Sequence, residues 1–135
     1  MRLATLERTD AGGLANLIRR VERGLPFKAL SGLAERSGLG VPHLAALIGI
    51  PERTLARRKA AGRLAPAESE RLVRISTIFE KAVDLFEGDE KAAVAWLGSA
   101  KKALNNESPL AFARTELGAR EVENLIGRLE HGVFS

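Results

Sequence analysis

The sequence predicts an all-α fold, and three observations carry that expectation. Alternating apolar and polar runs, which a half-buried strand needs, are almost absent. Apolar residues recur instead at steps of three and four along most of the 135 residues. Glycine, proline and short polar residues stand between these stretches, where helices start and stop.

In chain order, Asp10 is placed to cap a first helix whose apolar face holds Leu14, Leu17, Ile18 and Val21, with Gly24 closing it. Pro26 suits the first turn of a second helix, with Phe27, Leu30, Leu33 and Ala34 on one side and Gly38 as its stop. A short helix from Val41 to Ile48, a turn at Gly49 and another helix from Pro51 to Ala61 come next. Pro66 opens a long helix with Leu72, Ile75, Phe79, Ala82, Val83 and Phe86 at helical spacing. Val73, Ile78 and Leu85 widen that stripe; a helix central to the core explains the width, and a dimer seam along part of it is the alternative.

Gly88 ends the long helix and Asp89 caps a shorter one through Trp96 and Leu97. SAKKALNNESP reads as a loop around one more turn, with Ala100–Leu104 able to stay helical. Ser108-Pro109 starts another short turn, and Thr115 caps the last helix, whose apolar face is Val122, Leu125, Ile126 and Leu129.

Charge divides the chain unevenly. Residues 1–40 carry seven basic and four acidic side chains, residues 41–74 seven against three, and residues 75–135 seven against ten. A basic front and an acidic back suggest two partners, one of them a polyanion. There is no cysteine, which excludes disulfide scaffolds and thiolate zinc sites. No apolar run reaches membrane-spanning length and MRLATLERTD lacks a signal peptide's apolar stretch, so the expected location is the cytoplasm.

The most specific local pattern is PHLAALIGIPERTLARRKAAGRL. A helix-turn-helix needs a small residue where its second helix crosses the first, and a turn residue tolerating positive φ. Ala45 and Gly49 stand in those places, with Leu44, Ile48, Ile50 and Leu55 as the apolar contacts. The second helix then presents Glu52, Arg53, Thr54, Arg57, Arg58 and Lys59, with Arg63 just beyond. Arg53, Thr54 and Arg57 are the candidates for base or near-base contacts, and Arg58, Lys59 and Arg63 for the phosphate backbone. Arg58 stands where many such units bury an aliphatic side chain, so the packing behind this helix is expected to be shallow or shifted. A plain helical hairpin with a solvated basic face is the competing interpretation.

The last third carries a family pattern. Trp96-Leu97, Ser108-Pro109-Leu110, Thr115-Glu116-Leu117-Gly118, Val122-Glu123 and the ending from Gly127 through Arg128, Leu129, Glu130, His131 and Gly132 to Val133 follow in that order. Together with GIPERTLARRK, GRL and Glu68-Ser69 in the middle, they closely resemble the Xre/MbcA/ParS antitoxins over about residues 40 to 135. Two stretches depart from that pattern: the lysine- and asparagine-rich loop Ser99–Glu107, and residues 1–40.

The resemblance implies an Xre-like helix-turn-helix DNA-binding domain followed by a small helical toxin-binding domain. The corresponding partition is an N-terminal helical extension over residues 1–24, a DNA-binding and dimerisation domain over 25–87 and a toxin-binding domain over 88–135. It further implies the antitoxin of a bacterial type II toxin–antitoxin pair, whose partner is a RES-domain toxin that consumes NAD⁺. In that setting the C-terminal domain and tail cover the toxin's active site, and the helix-turn-helix binds operator DNA to repress the operon. A homodimer, or a larger toxin–antitoxin assembly, is expected. Toxin contacts are assigned to Arg120, Asn124, Gly127, Arg128, Glu130 and His131, and to the tail Val133, Phe134 and Ser135.

The tail raises the same possibility from physics alone. Gly132 ends the last helix and turns Val133 and Phe134 off its axis, either onto the protein's own core or toward a partner's pocket. Gly127 costs about 1 kcal/mol relative to alanine inside a helix, tolerable if something packs closely there, whether internal or external. A stand-alone helix-turn-helix repressor with a C-terminal dimerisation domain is the alternative function.

An enzyme is not expected. His43 and His131 are far apart and in no metal or triad spacing, so no catalytic residue, metal or cofactor is assigned. His131 sits in a last helical turn, where the dipole favours its charged form without any chemistry, and His43 is expected to be exposed or near a phosphate. Gly12-Gly13 and Gly38-x-Gly40 follow no strand, which removes the phosphate-cradle reading. The acidic residues of the back are expected to form solvated faces.

Overall fold

The computed structural model describes residues 11–132, and these are organised as helices joined by short turns. The helices are α1 (Ala11–Arg23), α2 (Phe27–Ser37), α3 (Val41–Leu47), α4 (Glu52–Ala61), α5 (Pro66–Leu85), α6 (Glu90–Leu97), α7 (Pro109–Phe112) and α8 (Glu116–Glu130). A single 3-10 turn, Lys102–Leu104, lies between α6 and α7. Among the described residues there is no strand, only two isolated bridges, Pro26 with Arg63 and Lys101 with Glu107. The proposed Asp10 cap and the tail Val133–Ser135 lie outside the described residues.

Two compact units divide at Ser76 and Thr77, inside α5. The partition drawn from the sequence kept that helix whole within residues 25–87. Each half of it has its own ties: Ser69 and Arg71 bond to residues before Ser76, whereas Lys81 bonds to Glu123.

In the first unit, Leu30, Leu44, Ile48 and Leu72 are fully buried. Its two connectors are joined: Leu64 N–H donates to the Leu25 carbonyl at 2.9 Å, and Phe27 N–H to that of Gly62 at 2.9 Å. Gly24 makes this pairing possible. Its φ is +87°, and a Cβ there would run into the Leu64 carbonyl oxygen. Ser69, fully buried, accepts from Leu25 N–H at 2.8 Å and donates to the Ala65 carbonyl at 2.9 Å. Residues 23–27 are thus hydrogen-bonded into the unit that holds α3 and α4. Pro26 is the cap residue just before α2 rather than part of its first turn.

Not all of the expected α1 face is covered. Leu17 is buried, but Leu14 and Ile18 remain 41% and 49% exposed. They line an open depression with Val21 and Val73, so the widening of the α5 stripe at Val73 serves a half-open surface. Ile78, by contrast, is fully buried.

In the second unit, α8 buries Val122, Leu125 and Ile126, while Leu129 is half-buried. The caps expected at Asp89 and Thr115 are formed, and Ser108, expected to start a turn, caps it with its side chain. Asp89 accepts from Ala92 N–H, Ser108 from Ala111 N–H and Thr115 from Gly118 N–H, at 3.0, 3.2 and 3.0 Å. The loop 99–107 is closed by Lys101 N–H donating to Glu107 at 3.0 Å. Asn105 and Asn106 both take left-handed conformations there (φ 58° and 64°), which asparagine tolerates better than most residues. The Lys101 ammonium sits 5.2 Å from the Trp96 ring centroid, and Trp96 in turn packs on Phe86. The acidic back is not wholly solvated: Glu80 is only 2% exposed, and among the described residues no buried side-chain polar atom lacks a hydrogen bond.

Candidate functional site

Two surfaces collect the residues that the sequence singled out. On the first unit, α3 ends at Leu47, Gly49 takes φ +77°, and α4 begins at Glu52. Ala45 is buried at 1% exposure, as a close crossing requires, and Leu44, Ile48 and Ile50 are buried around it. Leu55 is only half-buried and α4 has no buried residue at all. The packing behind α4 is therefore shallow, for a reason visible at Arg58.

Arg58 grips Glu68 with two parallel bonds, Nε to Oε1 at 2.8 Å and NH2 to Oε2 at 3.1 Å. The same Oε1 accepts from Ala65 N–H at 2.8 Å, the return half of a capping box at the start of α5. Glu68 is 6% exposed. Its burial pushes the carboxyl pKa up, but the Arg58 guanidinium and the Ala65 N–H outweigh it, and the net shift is below the ordinary carboxylate value. A charged clamp occupies the place where many helix-turn-helix units put an aliphatic contact.

A second arginine acts similarly. Arg71 Nε donates to the Ile48 carbonyl at 2.7 Å, satisfying the end of α3, and its guanidinium lies beside Gly49. Nothing in the local spacing announces this bond, which spans 23 residues. Arg63 donates to the carbonyls of Arg23 and Gly24, fastening the connectors.

The predicted nucleic-acid residues thus fall into two sets. Glu52, Arg53, Arg57 and Lys59 are exposed, and Thr54 is half-buried, with Arg57 donating to its hydroxyl at 3.4 Å. Arg58 and Arg63 are engaged within the chain. His43 is exposed, as expected.

On the second unit, the surface is the solvent side of α8. Arg120, Asn124, Glu130 and His131 are exposed there, and Gly127 and Arg128 half-buried. Arg120 pairs with Glu116 at 3.6 Å and Arg128 with Glu121 at 3.3 Å, exposed ion pairs of small energetic weight. Gly132 has φ +70°. Leu117, which the sequence reading assigned no contact, is 78% exposed and borders a shallow depression with Phe112, Thr115 and Glu121. Its signal was available: on a helical wheel Leu117 falls well away from the stripe of Val122, Leu125 and Ile126.

The two glycines of α8 differ. A Cβ on Gly118 would run into the Phe112 carbonyl, so the close approach of α7 to α8 demands glycine. A Cβ on Gly127 would meet nothing within 4 Å, so among the described residues no internal packing accounts for it. Also among the described residues, no cluster of metal-ligating side chains exists, and no helix is long and apolar enough to cross a membrane.

Comparison with known proteins matches the two units separately. Residues 17–76 match the antitoxin Xre-like helix-turn-helix domain, and residues 81–132 the antitoxin Xre/MbcA/ParS C-terminal toxin-binding domain. The protein named Antitoxin Xre of Photorhabdus laumondii subsp. laumondii is 34% identical over 116 residues, covering 85% of this chain and 78% of that protein. The chain belongs to the Xre antitoxin family.

A second Xre relative, the Antitoxin Xre of Yersinia enterocolitica, is 51% identical over 88 residues, 64% of this chain. The matched stretch spans 60% of that relative's length, less than two thirds of it. For an Xre-family chain, the two candidate surfaces fall one in each matched domain: α4 within residues 17–76 and α8 within residues 81–132.

Proposed function

We propose that the chain is the antitoxin of a bacterial type II toxin–antitoxin pair. Its partner is a RES-domain toxin that consumes NAD⁺. The C-terminal unit covers the toxin's active site with the solvent face of α8 and the tail Val133–Phe134–Ser135. The helix-turn-helix unit, as a homodimer or within the toxin complex, represses the operon by placing Arg53, Thr54 and Arg57 toward base edges and Lys59 on phosphate. The protein acts in the cytoplasm, as an inhibitor and repressor rather than an enzyme, and needs no cofactor.

The single observation that carries this reading is the pairing in one chain of a basic α4 that has no buried residue with a matched toxin-binding domain. A stand-alone repressor would use the first and leave the second without a purpose beyond dimerisation. Co-expression tests it. Full-length protein is expected to protect cells from the RES-domain product of the neighbouring reading frame, and a chain ending at Arg128 to fold but not protect. Protection by the truncated chain refutes the role of the tail. Absence of protection by the full chain refutes the antitoxin reading.

A further inference from the structure

The solvent side of α8 carries two residues that the described residues of the unit do not use. Leu117 keeps 78% of its surface exposed. Gly127 has an ordinary helical conformation, and among the described residues there is open space above it, so neither strain nor packing by them calls for glycine there. Gly118, in the same helix, shows what a packing glycine looks like, with the Phe112 carbonyl against it.

These two residues belong to one strip. Leu117, Arg120, Asn124, Gly127 and His131 recur at intervals of three and four, on the side opposite Val122, Leu125 and Ile126. The strip runs about 21 Å along the helix. It begins with an apolar side chain, continues with polar ones and has one position where the helix backbone itself is bare. That sequence of shapes fits a protein surface that receives Leu117 in an apolar pocket and lays main chain across Gly127.

We infer that this strip is the docking line for the toxin, with a main-chain segment of the toxin in van der Waals contact with Gly127 and Leu117 as the apolar anchor. The occupant is the toxin rather than a second copy because the whole strip lies within residues 81–132, the stretch matched to a toxin-binding domain. The inference rests on the antitoxin reading and extends it to how the partner approaches. It gives Gly127 a purpose that alanine cannot fill, since a methyl group at that point would hold the two backbones apart.

The test uses full-length chains and, as probe, the RES-domain protein of the neighbouring reading frame with its chemistry inactivated. Calorimetric titration reads affinity, and thermal unfolding of the free chain reads stability. Gly127→Ala is expected to raise the unfolding midpoint by about 2–5 °C. It is expected to weaken probe binding by about tenfold or more, and Gly127→Leu further. Leu117→Ala should weaken binding by about tenfold with an unchanged midpoint. Lys102→Ala, exposed on the 3-10 turn, is the control and should change neither. Wild-type affinity in both Gly127 variants overturns the inference and leaves the antitoxin reading standing. If the wild-type chain does not bind the probe, both fall. If the substitutions change self-association of the free chain and not probe binding, the strip serves a second copy and the inference is wrong.

Discussion

Gly118→Ala is the substitution in which the packing of the C-terminal unit is most exposed to test. The added methyl would run into the backbone carbonyl of Phe112, the last residue of the Ser108-capped α7, so the backbone of α7 or α8 has to shift. Overpacking of this kind costs roughly 1–3 kcal/mol. The shift also threatens the Thr115 cap, because Gly118 N–H is the group it holds at 3.0 Å, a contribution of about 1 kcal/mol. Against these stands a gain of at most about 1 kcal/mol for alanine over glycine in a helix. The net expectation is a loss of about 1–3 kcal/mol, read by urea unfolding with the slope unchanged. The same substitution nine residues later, Gly127→Ala, meets no opposing contact among the described residues and should stabilise. A neutral or stabilising Gly118→Ala would refute the close approach of α7 and α8. The opposite signs, within one helix and for one chemical change, make the comparison independent of glycine's general helix cost.

Other consequences can be measured directly. Gly24→Ala meets both a positive φ and the Leu64 carbonyl, so it should lower the unfolding midpoint more than any alanine substitution at an exposed position of α4. The Glu68 carboxyl is held below its ordinary value of 4.5, so the stability it contributes is complete above that pH and is lost as pH falls through its folded-state pKa. Acid titration of unfolding should therefore show a steeper loss in the wild-type chain than in Glu68→Gln; equal slopes would mean that the Arg58 clamp does not act on folding.

The local grammar of this fold was readable because its signals act over three or four residues. Asp89, Ser108 and Thr115 each bond a backbone N–H three positions on, so cap and helix start announce each other in sequence. The turn at Gly49 and the small residue at Ala45 were legible for the same reason. What escaped was made by distant partners. Leu25 pairs with Leu64 and Ser69, Arg71 with Ile48, and Arg63 with Gly24, at separations of 23 to 44 residues. No spacing rule links such positions. The candidate site divided along the same line: exposure of Arg53 and Arg57 followed from helical phase, but which cations remained available did not. Gly127 was ambiguous in sequence because close packing by the chain and by a partner leave the same letter. Among the described residues nothing packs over it, so packing within them does not account for the glycine.

That division of cations yields the last prediction. Six basic side chains lie on or near α4, yet they are not equivalent. Arg58 is bound twice to Glu68, Arg63 to two carbonyls and Arg71 to Ile48. Releasing any of these to a phosphate would leave a buried carboxylate or a carbonyl without its donor. In the proposed operator complex the phosphate contacts therefore fall to the exposed cations, Lys59 first, while Arg53 and Arg57 reach toward bases. Each phosphate contact contributes a nearly fixed increment to the salt dependence of binding, so Lys59→Ala should reduce the slope of log K against log salt by about 0.9. Arg63→Ala should destabilise the first unit and leave that slope as it was. Arg53→Ala should lower affinity for the operator more than for unrelated DNA. A slope that falls with Arg63→Ala but not with Lys59→Ala would reverse the assignment, and would mean that the connector pairing of residues 23–27 with 62–64 opens when DNA is bound.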